Sequence, residues 1–185
     1  MSPFDQVVLR TPRLLLRPFC QADAPELLAM FSDPRVMRYW STPPWTSIDT
    51  ALAMIDRDLR AMAAGEHLRL GIERISDAQL LGTCTLFNFV EQCKRAEIGY
   101  ALAHDSWGQG CMHEALLALL EFGFSELGLN RVEADIDPRN RASARSLERL
   151  GFKQEGLLRE RWIVDAEVSD SALYGLLRSD WQRRQ

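Results

Sequence analysis

The chain has 185 residues, 46% hydrophobic and 26% charged, enough for one substantial core and too few to divide comfortably, so a single domain over residues 1–185 is expected. Its 22 Lys and Arg against 26 Asp and Glu leave a net charge of −4, the wrong balance for a protein that coats nucleic acid or an anionic membrane. The opening MSPFDQVVLR lacks an apolar signal core, and no run reaches the ~18 apolar residues of a membrane span. Cys20, Cys84, Cys93 and Cys111 show neither metal-type spacing nor the density of a disulfide scaffold. A reduced, cytoplasmic protein with no metal site is expected.

Residues 13–19 (RLLLRPF) read as a strand closed by Pro18. Gln21 opens a helix whose Leu27, Leu28 and Phe31 recur at helical spacing until Pro34. Residues 35–46 hold Tyr39, Trp40, Trp45 and the pair Pro43-Pro44, a bent aromatic loop. Ser47 is an N-cap type, and Leu52, Ile55 and Leu59 mark one face of the helix behind it, which runs to Gly65. The period then changes. Residues 67–75, 80–90 and 95–102 read as three strands of an antiparallel meander. Beyond them come a glycine-rich turn at 107–110, a helix to Leu127, a strand at 131–136, a helix at 141–150, and long strands at 152–164 and 168–177. The class is α+β with a mixed sheet.

The turn Trp107-Gly-Gln-Gly-Cys-Met112 joins a strand end to a long amphipathic helix. Glycines let a backbone approach a ligand closely, and a helix start offers unpaired N–H groups and a positive dipole end, so this geometry suits phosphate. No GK[ST] follows and no GxGxxG opens a βαβ unit, which removes the triphosphate and dinucleotide readings. A plain tight connection is the competing reading. Downstream, Asn140 sits where a helix is capped, and Arg141, Arg145 and Arg149 recur every four residues, either as a solvated face or as a basic stripe for a phosphorylated ligand.

Taken in order, Thr11-Pro-Arg-Leu-Leu-Leu-Arg-Pro18, Ala96-Glu-Ile-Gly-Tyr100, Trp107-Gly-Gln-Gly-Cys-Met-His-Glu-Ala115, Asn140-Arg-Ala-Ser143, Leu150-Gly-Phe152 and Glu155-Gly-Leu-Leu-Arg-Glu160 span most of the chain. The chain resembles the GNAT superfamily of acyl-CoA-dependent N-acetyltransferases, in the RimJ/RimL-like branch named for enzymes that acetylate ribosomal-protein N-termini. The superfamily turn, Q/R-x-x-G-x-G/A, is matched imperfectly: Trp107 stands in its first position and Met112 in its last. The resemblance implies a curved mixed sheet of about seven strands with about four helices, its two central parallel strands splayed to admit the co-substrate.

By similarity, Tyr100, Ala101 and Leu102 would pair their backbone with the pantetheine arm of acetyl-CoA. Trp107, Gly108, Gln109, Gly110, Cys111 and Met112 would hold the pyrophosphate, with Arg145 nearby. Asn140 would bond the pantetheine chain, and Ser143 would lie by the thioester sulfur; capping fits both residue types equally well. Amine attack on a thioester needs a base, a polarised carbonyl and a protonated leaving thiol, and no covalent intermediate, so Cys111 is not required as a nucleophile. Glu97 resembles the strand glutamate that some relatives use as base; a cross-strand ion pair is its structural alternative. Glu160 is the second candidate and Asp170 a third. Many relatives carry an acidic tyrosine on the helix after Asn140; this helix has none, which leaves Ser143 or water as proton donor. Tyr39, Trp40 and Trp45 would line the acceptor site or simply pack a lid on the sheet.

Three functions compete: an N-acetyltransferase for a protein N-terminal amine such as that of a ribosomal protein, the same chemistry on a polyamine or drug amine, and a non-catalytic acyl-CoA-binding regulatory domain. No direct nucleic-acid or membrane partner is expected, and the protein would be a monomer or homodimer.

Overall fold

The computed structural model describes residues 4–184; residues 1–3 of the opening segment and Gln185 lie outside the described residues. Its strands are β1 (Leu9–Arg10), β2 (Leu14–Arg17), β3 (Leu68–Arg74), β4 (Gln79–Val90), β5 (Arg95–Leu102), β6 (Arg131–Ile136), β7 (Lys153–Val164) and β8 (Glu167–Leu177). They form one sheet in the order β1-β2-β3-β4-β5-β6-β8-β7. The meander of β3, β4 and β5 is antiparallel as its spacing predicts, and so is every other pair except β5 with β6, which run parallel. The helices are α1 (Ala24–Ser32), α2 (Pro34–Met37), α3 (Ile48–Ala63), α4 (Cys111–Ser125), α5 (Arg141–Leu150) and α6 (Arg178–Gln182).

Side-chain alternation divides the interior between the two faces of the sheet. Ala96, Ile98 and Leu102 of β5 face a core completed by Leu116, Leu119 and Leu120 of α4 and Leu147 and Leu150 of α5. Ala101, one step out of phase, joins Leu27 and Phe31 of α1 with Met54 and Ile55 of α3 in a second core. Each such buried leucine or isoleucine contributes about 1.5–3 kcal/mol, so two leucines three apart suffice to seat α5 while its arginines remain in water.

The expected fold is present with one strand and two helices more than the rounded count. The two-residue β1, the four-residue α2 and the five-residue α6 are too short to carry a readable period. In α2 the reason is local. Pro34 ends α1 as its type predicts, but it also occupies the first turn of a new helix, where the Asp33 carboxylate accepts the Arg35 N–H at 2.8 Å. The irregular part of the aromatic loop therefore begins at Arg38 rather than Arg35.

One feature of the sheet opens a site. The ladder between β5 and β6 consists of Arg95 with Arg131, Ala96 with Val132 and Glu97 with Glu133, yet β5 continues to Leu102 and β6 to Ile136. From Ile98 onward the two parallel strands have separated, and the β5 edge facing the gap has lost its ladder partner.

Candidate active site

At the end of β5 the chain enters the glycine turn, and the turn is fastened from within. The Trp107 indole N–H donates to the Leu102 carbonyl at 2.8 Å, and the Gln109 amide donates to the Asp105 carbonyl at 2.8 Å. Gly108 and Gly110 hold φ of +73° and +78°, left-handed backbone in which a Cβ costs about 1–2 kcal/mol. No atom lies within 4 Å of where a Cβ on Gly108 would stand, so the turn presents an open backbone surface. The first N–H groups of α4 follow directly and lack intrahelical acceptors. Cys111 is buried under the turn, with only 4% of its surface exposed.

A second fastening crosses the whole sequence. The Glu114 carboxylate accepts from the Thr11 hydroxyl at 2.6 Å, the Arg13 N–H at 3.0 Å and the Arg13 guanidinium at 2.6 Å. The same guanidinium donates to the Gln109 carbonyl at 3.0 Å. The Thr-Pro-Arg segment ahead of β2 thus clamps both the turn and the first turn of α4. Partial burial by itself would raise the Glu114 carboxyl; the Thr11 hydroxyl and Arg13 outweigh it and hold it below the usual carboxylate range. Sequence reasoning used Thr11 and Arg13 only as a family motif, because residues a hundred positions apart leave no local signal of pairing.

Across the gap, Asn140 caps α5 by accepting the Ser143 N–H at 3.1 Å, as its residue type predicts. Ser143 Oγ lies 2.7 Å from the Tyr100 phenol oxygen. Tyr100 was expected to contribute its backbone; its side chain places a phenol against the tyrosine-less helix. Burial pushes that phenol up to about 12 despite the hydrogen bond with Ser143, so it keeps its proton at neutral pH. Arg141, Arg145 and Arg149 are exposed on α5, whereas Arg139 is engaged elsewhere, paired with Asp137 and Glu167, each at 2.6 Å.

Glu97 is the last residue of the β5–β6 ladder. Its carboxylate accepts from the Asn88 amide at 3.1 Å, Asn88 itself standing in left-handed backbone at an irregularity of β4. The cross-strand ion pair falls to its neighbour instead: Glu133 takes Arg95 of β5 at 2.7 Å as well as Arg131 of its own strand at 2.7 Å, and Asp135 takes Arg161 at 3.2 Å. Glu160 is exposed on the edge strand β7, with φ of +54° in a register break, and its N–H donates to the Asp170 carboxylate at 2.8 Å. It is three places from Glu97 in the strand order.

The aromatic loop divides into two roles. Trp40 meets Phe31 edge-on at 5.2 Å and Trp45 lies over it at 4.5 Å, both half-buried against the second core. Tyr39 is exposed, with the Arg38 and Arg139 guanidiniums 5.5 and 5.8 Å from its ring centroid. Glu167 accepts from both arginines. This clasp joins the loop after α2, the segment between β6 and α5, and the start of β8. Among the described residues no group of three His, Cys, Asp or Glu is placed to hold a metal, and no helix is long and apolar enough to cross a membrane.

Comparison with known proteins agrees with this geometry. Residues 13–153 match the family model described as Acetyltransferase (GNAT) domain. The chain is 36% identical over 174 residues to the uncharacterized N-acetyltransferase p20 of Bacillus licheniformis, a match covering 94% of this chain and 97% of that one. It is 26% identical to the ribosomal protein uS5-alanine N-acetyltransferase of Escherichia coli, covering 97% and 95%. The crystal structure of a GNAT-family acetyltransferase from Bacillus anthracis aligns with a TM-score of 0.84 at 24% identity, over 94% of this chain and 99% of that one, which shows the shared fold. With its splayed parallel strands, open glycine turn and family match over most of its length, the chain belongs to the GNAT family and is an acetyl-CoA-dependent N-acetyltransferase.

Proposed function

We propose that the protein acetylates the α-amine of a protein N-terminus in the cytoplasm, a ribosomal protein being the first candidate. The observation that carries an amine acceptor is Glu97: it stands where the strands part, with an amide rather than a guanidinium as its partner, while the neighbouring carboxylates Glu133 and Asp135 are matched by arginines. The choice of a protein N-terminus rests on the full-length likeness to the uS5-alanine enzyme.

The residues fit acetyl-CoA. The turn from Trp107 to Met112 would offer its backbone N–H groups to the pyrophosphate, and the β5 edge at Tyr100, Ala101 and Leu102, beyond the ladder with β6 and with the Leu102 carbonyl already accepting the Trp107 indole N–H, would receive the pantetheine arm, Asn140 and Arg145 adding further contacts. Acetyl-CoA supplies the acyl group as a thioester. Glu97 takes the proton that the incoming amine must lose, directly or through one water, and Ser143 holds a hydroxyl proton for the departing sulfur. Glu160 remains the second candidate base. Tyr39 marks the acceptor mouth, with Trp40 and Trp45 setting the loop beneath it.

The test is thiol release from acetyl-CoA against a panel of peptides with free N-termini, polyamines and drug amines, with intact mass of each acceptor. Acetylated peptides with inert small amines support the proposal; the reverse moves the assignment to a small-molecule amine. Binding of acetyl-CoA with no release on any acceptor points to a regulatory acyl-CoA-binding domain.

A further inference from the structure

A tyrosine of another element reaches the head of α5. Tyr100 comes from β5, a strand on the opposite side of the gap, and its phenol oxygen meets Ser143 Oγ at 2.7 Å and the Ser143 carbonyl at 3.4 Å. Ser143 is held from its other side, since its N–H is tied to the Asn140 side chain. The serine thus stands in the first turn of α5 against Tyr100, a residue of β5 beyond the last β5–β6 ladder pair, with its N–H and its Oγ both restrained.

A serine hydroxyl has one proton and two lone pairs. Either oxygen can donate across the 2.7 Å contact; a phenol is a stronger acid than an aliphatic alcohol, which favours donation from Tyr100 to Ser143 Oγ over its longer 3.4 Å alternative, the Ser143 carbonyl. Once Ser143 Oγ accepts from Tyr100, the serine's own proton is directed away from the phenol and is free for a third group. We propose that Tyr100 is a positioning residue: by donating to Ser143 Oγ it aims the serine O–H into the gap between β5 and β6, at the place where the thiol leaves. In the step itself the C–S bond breaks, its electron pair stays on sulfur, and the Ser143 proton passes to that sulfur. The serine oxygen left behind takes the proton of the phenol, the stronger acid, across the 2.7 Å contact, and solvent returns a proton to the phenol oxygen.

This inference rests on the reading of Ser143 as proton donor, and the experiment separates the two. Tyr100→Phe, Ser143→Ala and the double variant are compared by steady-state kinetics with the fastest acceptor of the panel, by equilibrium binding of CoA, and by NMR of protein carrying ¹³Cζ-labelled tyrosine, whose three tyrosines give three resonances. Tyr100→Phe is expected to lower kcat about five- to tenfold, the scale of one hydrogen bond, with CoA affinity unchanged within about twofold. The double variant should be no slower than Ser143→Ala, because Tyr100 acts only through the serine. Ser143→Ala should shift the Tyr100 resonance and leave those of Tyr39 and Tyr174 in place. A slow Ser143→Ala beside a normal Tyr100→Phe overturns the positioning role alone, and so does a Tyr100 resonance indifferent to Ser143. A normal Ser143→Ala overturns the donor reading and the positioning role with it.

Discussion

The donor side and the acceptor side of the gap are built by different physics. On the donor side, the glycine turn is held by single, short contacts of fixed direction: Trp107 to the Leu102 carbonyl, Gln109 to the Asp105 carbonyl, and Glu114 receiving three donors from Thr11 and Arg13. On the acceptor side, three segments meet at Tyr39 through exposed charges, Arg38 and Arg139 sharing Glu167. Exposed ion pairs contribute little and are screened by salt, whereas hydrogen bonds around a half-buried carboxylate are costly to break. A site that binds one invariant co-substrate profits from rigidity; under the proposed function the other side admits a polypeptide end and profits from a mouth that opens cheaply.

The largest expected effect lies at the seam between the two sides. Glu97→Gln should lower kcat/KM at neutral pH by about 10²-fold or more, the scale of a lost general base, while acetyl-CoA affinity measured by calorimetry stays within about twofold. An unchanged pH profile of kcat/KM in this variant removes Glu97 from the role and advances Glu160.

Next comes the clamp. Glu114→Ala leaves the Thr11 hydroxyl and the Arg13 donors without their acceptor, so unfolding should become easier by on the order of 1–3 kcal/mol in denaturant titration, with weaker acetyl-CoA binding. A variant that loses stability yet binds acetyl-CoA as before would show that the clamp holds the fold and not the turn.

Smaller is the effect of the clasp. Glu167→Gln should leave the thermal midpoint and the acetyl-CoA affinity unchanged and alter only the KM of the acceptor, more at low salt than at high. Should acetyl-CoA affinity fall as well, the two sides are coupled and the contrast between them fails.

Acid provides the finest comparison. Burial and its donors together leave the Glu114 carboxyl below the usual range, and the Arg139 and Arg38 guanidiniums do the same for Glu167. A depressed carboxylate contributes stability above its unfolded pKa of about 4.3 and loses that contribution as pH falls through its folded value. Stability should therefore fall below about pH 4. Glu114→Gln should flatten that fall visibly in thermal melts across pH 5 to 3, by more than Glu167→Gln does.

Much of the site was legible because its signals are local. Ser47 caps α3 through the Asp49 N–H, Asn140 caps α5, and the glycines at 108 and 110 occupy left-handed backbone; each follows from a residue type and its nearest neighbours. The Glu97 alternatives were open in sequence because alternation places Glu97, Glu133 and Arg95 on strands without saying which pair; only the packing of β5 beside β6 brought Arg95 to Glu133. In sequence Trp40 and Trp45 fit either an acceptor wall or a lid packed on the sheet; the contact of both with Phe31 is a tertiary one that no local pattern encodes.

By itself, then, the sequence determined the class, the order of the main elements, the caps and the glycine turn, because helix period, strand alternation and the demand for positive φ act within a few residues. The tertiary structure decided which strands run parallel and where they part, that Arg13 reaches Glu114 and Gln109, and that the Tyr100 phenol meets Ser143 at the head of α5. Those facts depend on contacts between residues tens to a hundred positions apart, which packing of the two cores selects and no local pattern encodes.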